Sequence, residues 1–182
     1  MNYTDAIIAT YDRATDDDRA NGHNWYRDMV RTIADQAQSS SLTVSQCAAI
    51  YAANSINTPW VRNIKLATLA IAQNGMSGGT LGMIVRKVNA IIDGHDIETT
   101  LTADPANRKI VNFWRNLSGD FDAVTVDRWA HRVATNGERS DVPSGARYSE
   151  IAEAYRMAAS QRGIDPATMQ ATTWIVARGK AA

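Results

Sequence analysis

The chain is predicted to be all-α, a single domain of about eight to ten helices over residues 1–182. Three observations predict this. Apolar residues recur at helical spacing from one end of the chain to the other. No stretch alternates apolar and polar residues as a half-buried strand would, and both Asn-Gly pairs, Asn74-Gly75 and Asn136-Gly137, follow helical patterns instead of joining strands. Three of the four prolines stand directly after a Thr or Asp at a helix start, in Thr58-Pro59, Asp104-Pro105 and Asp165-Pro166. At 182 residues the chain is long enough to bury a sizeable core, and it shows no internal repeat.

Tyr3, Ile7, Ile8 and Tyr11 make residues 3–14 a short amphipathic helix. The acids Asp16, Asp17 and Asp18 precede a helix over 19–38, in which Trp25, Met29, Ile33 and Ala37 form an apolar stripe. Ser39, Ser40 and Ser41 break it, so residues 1–40 form an N-terminal helical segment ahead of a core over 44–179. Thr43 with Gln46 three residues on is a capping box for helix 44–54. That helix is small and apolar on most faces, from Val44 and Cys47 to Ala53, as a helix at the centre of a bundle would be. Thr58 and Pro59 start the next one, filled by Val61, Ile64, Leu66, Ala67, Leu69 and Ile71 and ended by Gly75. Residues 76–79 are a link, after which Thr80 caps a helix over 81–92 that carries Met83, Ile84, Val88, Ile91 and Ile92. Asp104 and Pro105 open a helix that Gly119 closes, and Val124-Thr125-Val126 leads into Asp127 at the start of another. Residues 136–146 have loop chemistry. Residues 148–161 are helical with Tyr148, Ile151, Ala154, Tyr155 and Ala158 on one side. Asp165 caps the last helix, in which Met169, Thr172 or Thr173, and Val176 face inward, and Gly179 stops it.

Composition narrows the function classes. Apolar residues at 45% and charged residues at 21% are ordinary for a soluble globular chain. Lys plus Arg equals Asp plus Glu at 19 each, so the basic excess of a dedicated duplex binder is absent and a DNA-binding face would need local clustering. The single cysteine, Cys47, cannot form an intrachain disulfide or supply a Cys-rich metal or iron–sulfur site, and it suits a reducing cytoplasm. No basic region followed by an apolar run opens the chain and no apolar run approaches a membrane span, so a cytoplasmic location without a membrane partner is expected. His23, His95 and His131 are too scattered for a metal site, and no metal or cofactor is expected.

The best candidates for chemistry are Asp127 and Lys109, eighteen residues apart. An anionic side chain is favoured at a helix start by the dipole and the free N–H groups, and both heads would face one cleft if their helices pack side by side. Asp127 is either that or an ordinary helix-start carboxylate; Lys109 is either a nucleophile or a solvated lysine. Arg108, Lys109 and Arg115 are alternatively phosphate contacts. His131 stands one turn after Asp127, over the same cleft or as a polar core or surface residue. Asn54, Ser55 and Asn57 either read a base edge or form a capped turn. Trp60, Trp114 and Trp129 either stack on a base or belong to the core, and Asp120 and Asp122 either hold a cation or shape a turn.

The order Lys109, Asp127, then Arg132-Val133, within Val124-Thr125-Val126-Asp127-Arg128-Trp129-Ala130-His131-Arg132-Val133, resembles the helix-hairpin-helix DNA glycosylases of the endonuclease III type. The resemblance extends to residues 48–63, similar to the helix and loop lining the flipped-base pocket, to Arg86-Lys87-Val88-Asn89-Ala90-Ile91-Ile92 ahead of the hairpin, and to the closing helix 170–179. The chain also resembles short phage-encoded glycosylase-like proteins of unassigned role, some linked to thymine hypermodification. This resemblance implies a glycosylase-like fold without an iron–sulfur cluster, DNA or a modified nucleotide as partner, and a bacterial host cytoplasm. It implies that Asp127 assists attack at the sugar and that Lys109 forms a Schiff base in members with lyase activity. Asn54, Ser55, Asn57, Trp60, Trp129 and His131 then face the substrate, and Asn107, Arg108, Arg115, Arg128 and Arg132 face nucleic acid.

Two departures stand out. Pro105, Ala106 and Asn107 occupy the positions of the family's Gly-x-Gly turn, and proline lacks the N–H that grips a phosphate. The cysteine cluster after the last helix is missing. The expected function is action at the N-glycosidic bond of a flipped or modified base. The competing readings are phage-type base hypermodification on a modified base or nucleotide, and a non-enzymatic binder of nucleotide or nucleic acid.

Overall fold

The computed structural model describes residues 2–102, 108–137 and 145–179. Among them are ten helices and no strand, as the periodicity predicts. They are α1 (Tyr3–Tyr11), α2 (Asp16–Gln38), α3 (Val44–Asn54), α4 (Trp60–Ala72), α5 (Gly82–Ile92), α6 (Ile97–Leu101), α7 (Arg108–Leu117), α8 (Arg128–Ala134), α9 (Gly145–Arg162) and α10 (Pro166–Arg178). The chain forms two compact units, a terminal unit of Met1–Asp28 with Gly119–Ala182 and a middle unit of Met29–Ser118.

The middle unit is built around α3. Its capping box forms as predicted: the Gln46 amide donates to Thr43 Oγ1 at 3.2 Å and the Thr43 amide to Gln46 Oε1 at 3.0 Å. Cys47 and every residue from Ala48 to Asn54 are buried. Helices α4, α5, α6 and α7 all pack against α3, which explains why its small side chains read apolar on most faces. The α4 face differs from the expectation. Asn63, Ala67, Ala70 and Ile71 are buried, while Val61 and Leu69 are exposed. The spacing of 0, 4, 7 and 8 residues puts a polar Asn on the buried stripe, which apolar counting passes over. Two predicted caps also shift. Pro59 and Leu81 hold the cap positions of α4 and α5 without side-chain bonds, and the Thr58 hydroxyl instead donates to the Ile56 carbonyl at 3.0 Å. Helix α6, capped by Asp96 on the Thr99 amide at 2.8 Å, was not signalled by periodicity because it spans little more than one turn. The start of the Asp104-Pro105 helix, with Asn107, lies outside the described residues, and α7 is described from Arg108.

The terminal unit is built around α10, on which α1, α8 and α9 pack. Asp165 caps it as predicted, accepting from the Thr168 amide at 2.8 Å, and Gly179 ends it at φ 83°, a left-handed conformation that favours glycine. Pro166 through Thr173 are all buried, far more of the helix than the expected stripe. Thr168, Thr173 and Gln170 are tolerated inside because they bond locally or to tyrosines, while the buried Thr172 Oγ1 has no partner among the described residues: Thr168 Oγ1 donates to Asp165 Oδ2 at 2.9 Å, Thr173 Oγ1 donates to the Met169 carbonyl at 3.0 Å, and the Tyr26 hydroxyl donates to Gln170 Oε1 at 3.0 Å. The three acids begin α2 instead of preceding it. Asp18 and Thr15 cap one another, amide to Oγ1 at 3.1 Å and amide to Oδ2 at 3.0 Å, a box with Asp in the Glu position. Tyr26, not Trp25, is the buried aromatic of that helix. Gly22 lets α2 approach α10 closely: a β-carbon there would lie 2.1 Å from Thr172 Oγ1 and 2.7 Å from Thr172 Cα. The end of α1 is tied to the end of α9 by a bidentate Arg162–Asp12 pair at 2.9 and 2.6 Å.

Candidate functional site

The segment that carries Asp127 is held by a tyrosine from α9. The buried Tyr148 hydroxyl accepts from the Val126 amide at 3.1 Å and donates to the Val124 carbonyl at 2.9 Å. These are the two backbone groups that an extended stretch leaves open and that burial obliges to pair. Ala123, Val124 and Val126 are buried, so the strand-like Val-Thr-Val run is fixed on its side chains as well. Just upstream, the Ala167 amide of α10 donates to the Phe121 carbonyl at 3.0 Å, and Asp120 Oδ1 accepts from the amides of Asp122 and Ala123 at 3.1 and 3.2 Å. Asp120 is thus a turn former. No group of three or more His, Cys, Asp or Glu residues capable of holding a metal ion occurs among the described residues.

Asp127 is the N-cap of α8, with extended backbone at φ −90° and ψ −176°. Its Oδ1 accepts from the Trp129 and Ala130 amides at 2.9 and 2.8 Å. Its Oδ2 accepts from the Trp174 indole N–H of α10 at 3.2 Å. A carboxylate offers about four lone-pair directions, and these three bonds leave one, on Oδ2, with no partner among the described residues. The residue is half-buried.

Two hydroxyls beneath the site stay protonated. Burial pushes the Tyr26 and Tyr155 hydroxyls well above the ordinary tyrosine range, and the nearby Asp127 charge adds to it, while hydrogen bonds with Thr125 and Thr173 pull the other way. Tyr155 donates to the Ala130 carbonyl at 3.3 Å, which ties the first turn of α8 to α9. Guanidiniums lie on the rings of both tryptophans that bond Asp127, Trp129 through its backbone amide and Trp174 through its indole N–H. Arg132 sits 5.0 Å from the Trp129 ring centroid and Arg178 4.4 Å from that of Trp174.

The terminal unit therefore gathers Asp127, Trp129 and Arg132 of the expected site residues. His131, one turn after Asp127, is fully buried, and Arg128 is exposed at the start of α8. Trp129 is half-buried under Arg132. Trp174 and Tyr148 are the hydrogen-bond partners of this segment that sequence reasoning missed. Trp174 is 47 residues from Asp127, and Tyr148 is 22 and 24 residues from Val126 and Val124; no local pattern links an indole or a phenol to a carboxylate or an extended segment so distant.

The middle unit holds the other expected residues. Lys109 is half-buried in the first turn of α7, and Arg108 and Arg115 are exposed on the same helix. Asn54 is fully buried. Its Nδ2 donates to the Ile50 carbonyl at 3.0 Å, and its Oδ1 is buried without a hydrogen-bond partner. Ser55 caps α3 by donating to the Ala52 carbonyl at 2.7 Å, the behaviour of a capped turn. Asn57, at φ 52°, lines an open groove of about 680 Å³ with Thr58, Pro59, Arg62, Thr80 and Leu81. Arg62 Nη2 donates to the Gly79 carbonyl at 2.8 Å across that groove. Trp60 is half-buried between Tyr51 and Phe113, with ring centroids 6.3 and 6.0 Å away. Trp114 donates to the Ser45 carbonyl at 3.2 Å. No helix among the described residues is long and apolar enough to cross a membrane.

The chain belongs to a family of unknown function, DUF7178, whose model matches residues 1–181. No curated protein and no solved structure matches it.

Proposed function

We propose that this member of the DUF7178 family is a DNA glycosylase-like enzyme that acts at the N-glycosidic bond of a flipped or modified base, with Asp127 as its catalytic carboxylate. The observation that carries the reading is the geometry of Asp127: three N–H groups hold it at a helix start and leave one lone pair open. That arrangement suits a hydrolytic displacement. The C1′–N bond breaks with its electron pair leaving on the base, water adds to C1′, and the proton that water loses passes through Asp127 Oδ2 and ends on the departing base. A fixed carboxylate also stabilises the positive charge that develops on the sugar as the bond breaks. The rigid support from Tyr148 and Tyr155 favours catalysis, because a preorganised group needs no rearrangement at the moment of reaction. Lys109 is kept in the proposal as the residue whose presence separates the lyase form of the reaction from the hydrolytic one.

The formal net charge of zero supports a second reading, in which the same carboxylate acts on a modified base or nucleotide in thymine hypermodification and duplex binding is weak. The test is base release and borohydride trapping on duplexes carrying abasic sites and a panel of modified bases, with Lys109→Gln and Asp127→Asn as controls. Base release without a trapped adduct, lost in Asp127→Asn and kept in Lys109→Gln, is expected. A trapped adduct lost in Lys109→Gln would replace the hydrolytic form with the lyase form. No release from any duplex, with turnover of a free modified nucleotide, would favour the second reading. Neither activity would overturn both.

A further inference from the structure

We infer that Trp174 is the positioning residue of this site: it fixes Asp127 Oδ2 so that the carboxylate offers a single acceptor direction to one nucleophilic water. The role attributed to the water rests on the proposed function above; the hydrogen bond itself does not. Asp127 Oδ1 is occupied by the helix, since the Trp129 and Ala130 amides fill its in-plane positions. Those bonds are common to any N-cap aspartate and leave Oδ2 free to take up both of its acceptor directions. The indole N–H at 3.2 Å removes one of them. It is an uncommon partner for a cap: indole is a donor only, so it cannot exchange roles with the carboxylate or with water, and the acceptor identity of Oδ2 is settled by it.

The indole is itself held on several sides. It belongs to α10, whose preceding turns are buried from Pro166 to Thr173, so the Trp174 backbone has little freedom. Arg178, one turn on, lies over the ring at 4.4 Å and fixes its tilt. The guanidinium holds positive charge on the ring face, which makes the N–H a better donor. The two elements that carry Asp127 and Trp174, α8 and α10, pack on each other, so the bond spans a packed helix pair rather than a mobile loop. A plain structural role would need only the ring; a positioning role needs the N–H.

Trp174→Phe separates the two, because it keeps an aromatic ring under Arg178 and removes the donor, with a loss of ring volume that the melting temperature reads. The expected result is a fall of about 10- to 100-fold in the single-turnover rate of base release, the scale of one charge-assisted hydrogen bond, with duplex Kd within twofold of the parent and a melting temperature lowered by a few degrees, so that the fold is kept. An unchanged rate would overturn the inference, and so would a loss confined to Kd or to stability. A second arm does not use activity. In a ¹⁵N-correlated spectrum, the indole resonance that disappears in Trp174→Phe should move upfield in Asp127→Ala, as a donor released from a carboxylate does. An indole resonance unmoved in Asp127→Ala overturns the inference on its own. If the parent protein releases no base from any duplex while the resonance still moves, the glycosylase reading has failed and the positioning of Asp127 by Trp174 stands.

Discussion

Replacing Gly22 by Ala sets two physical effects of opposite sign against each other. Gly22 is a buried position inside α2, where helix propensity alone favours Ala by about 1 kcal/mol. Packing says the reverse. The new β-carbon would stand 2.7 Å from Thr172 Cα and 2.8 Å from Thr172 Cβ, against a comfortable carbon–carbon separation of about 3.5–4.0 Å. The shortfall of roughly 1 Å falls on backbone as well as on the Thr172 hydroxyl, so a rotamer change cannot relieve it. Nor can α10 retreat, since α1, α8 and α9 pack on it. Overpacking of this severity costs about 3 kcal/mol, at the upper end of its usual range, and the propensity gain offsets about 1, which leaves a loss of about 2 kcal/mol. For a chain of this length that corresponds to a fall of about 4–8 °C in melting temperature, read by circular dichroism. Thr172→Ala in the same background should restore part of the loss but not all of it, because the contact with Cα remains. A melting temperature unchanged or raised in Gly22→Ala would refute the close approach of α2 and α10 and leave propensity as the only effect.

The other expectations concern the supports of Asp127. Tyr148→Phe keeps the ring in the core but leaves the Val126 amide and the Val124 carbonyl buried and unpaired, which should cost about 2–4 kcal/mol in urea unfolding; a change below about 0.5 kcal/mol would mean that the hydroxyl is not the clamp it is taken to be. Asp165, the cap of α10, should give an acid-side pH dependence. Burial pushes its carboxyl up, but hydrogen bonds from Arg27 and from the Thr168 amide and hydroxyl outweigh that, and its folded pKa lies below the ordinary value. The stability it contributes is therefore fully present above the unfolded value of about 3.9 and is lost as pH falls through the folded one. Arg27→Met should be less stable than the parent by a constant margin above about pH 5, and that margin should narrow below about pH 4; a margin that does not narrow on acidification would contradict the assignment.

The sequence by itself determined where most helices begin and end. Thr43 with Gln46, Asp165 with Pro166, Asp127 and Gly179 act through bonds to backbone groups four residues away or fewer, so the information is local and can be read without a partner. It also marked α3 as a central helix, because a run of small apolar residues has only one place to go. It placed Asp127 at a helix start from position alone. Tertiary structure decided the rest. Apolar counting could not show that Asn63 is buried while Val61 and Leu69 are not, since the face of α4 is chosen by what α3 presents to it. It could not show that the first turns of α10 are wholly buried, since Gln170 and Thr173 are admissible inside only once Tyr26, Tyr155 and the helix's own carbonyls accept or supply their hydrogen bonds. The site divides in the same way. A cap is written within four residues, but the indole that bonds Asp127 and the phenol that clamps the extended segment before it come from helices far along the chain. Such pairs are fixed by packing geometry, which no single-sequence spacing encodes.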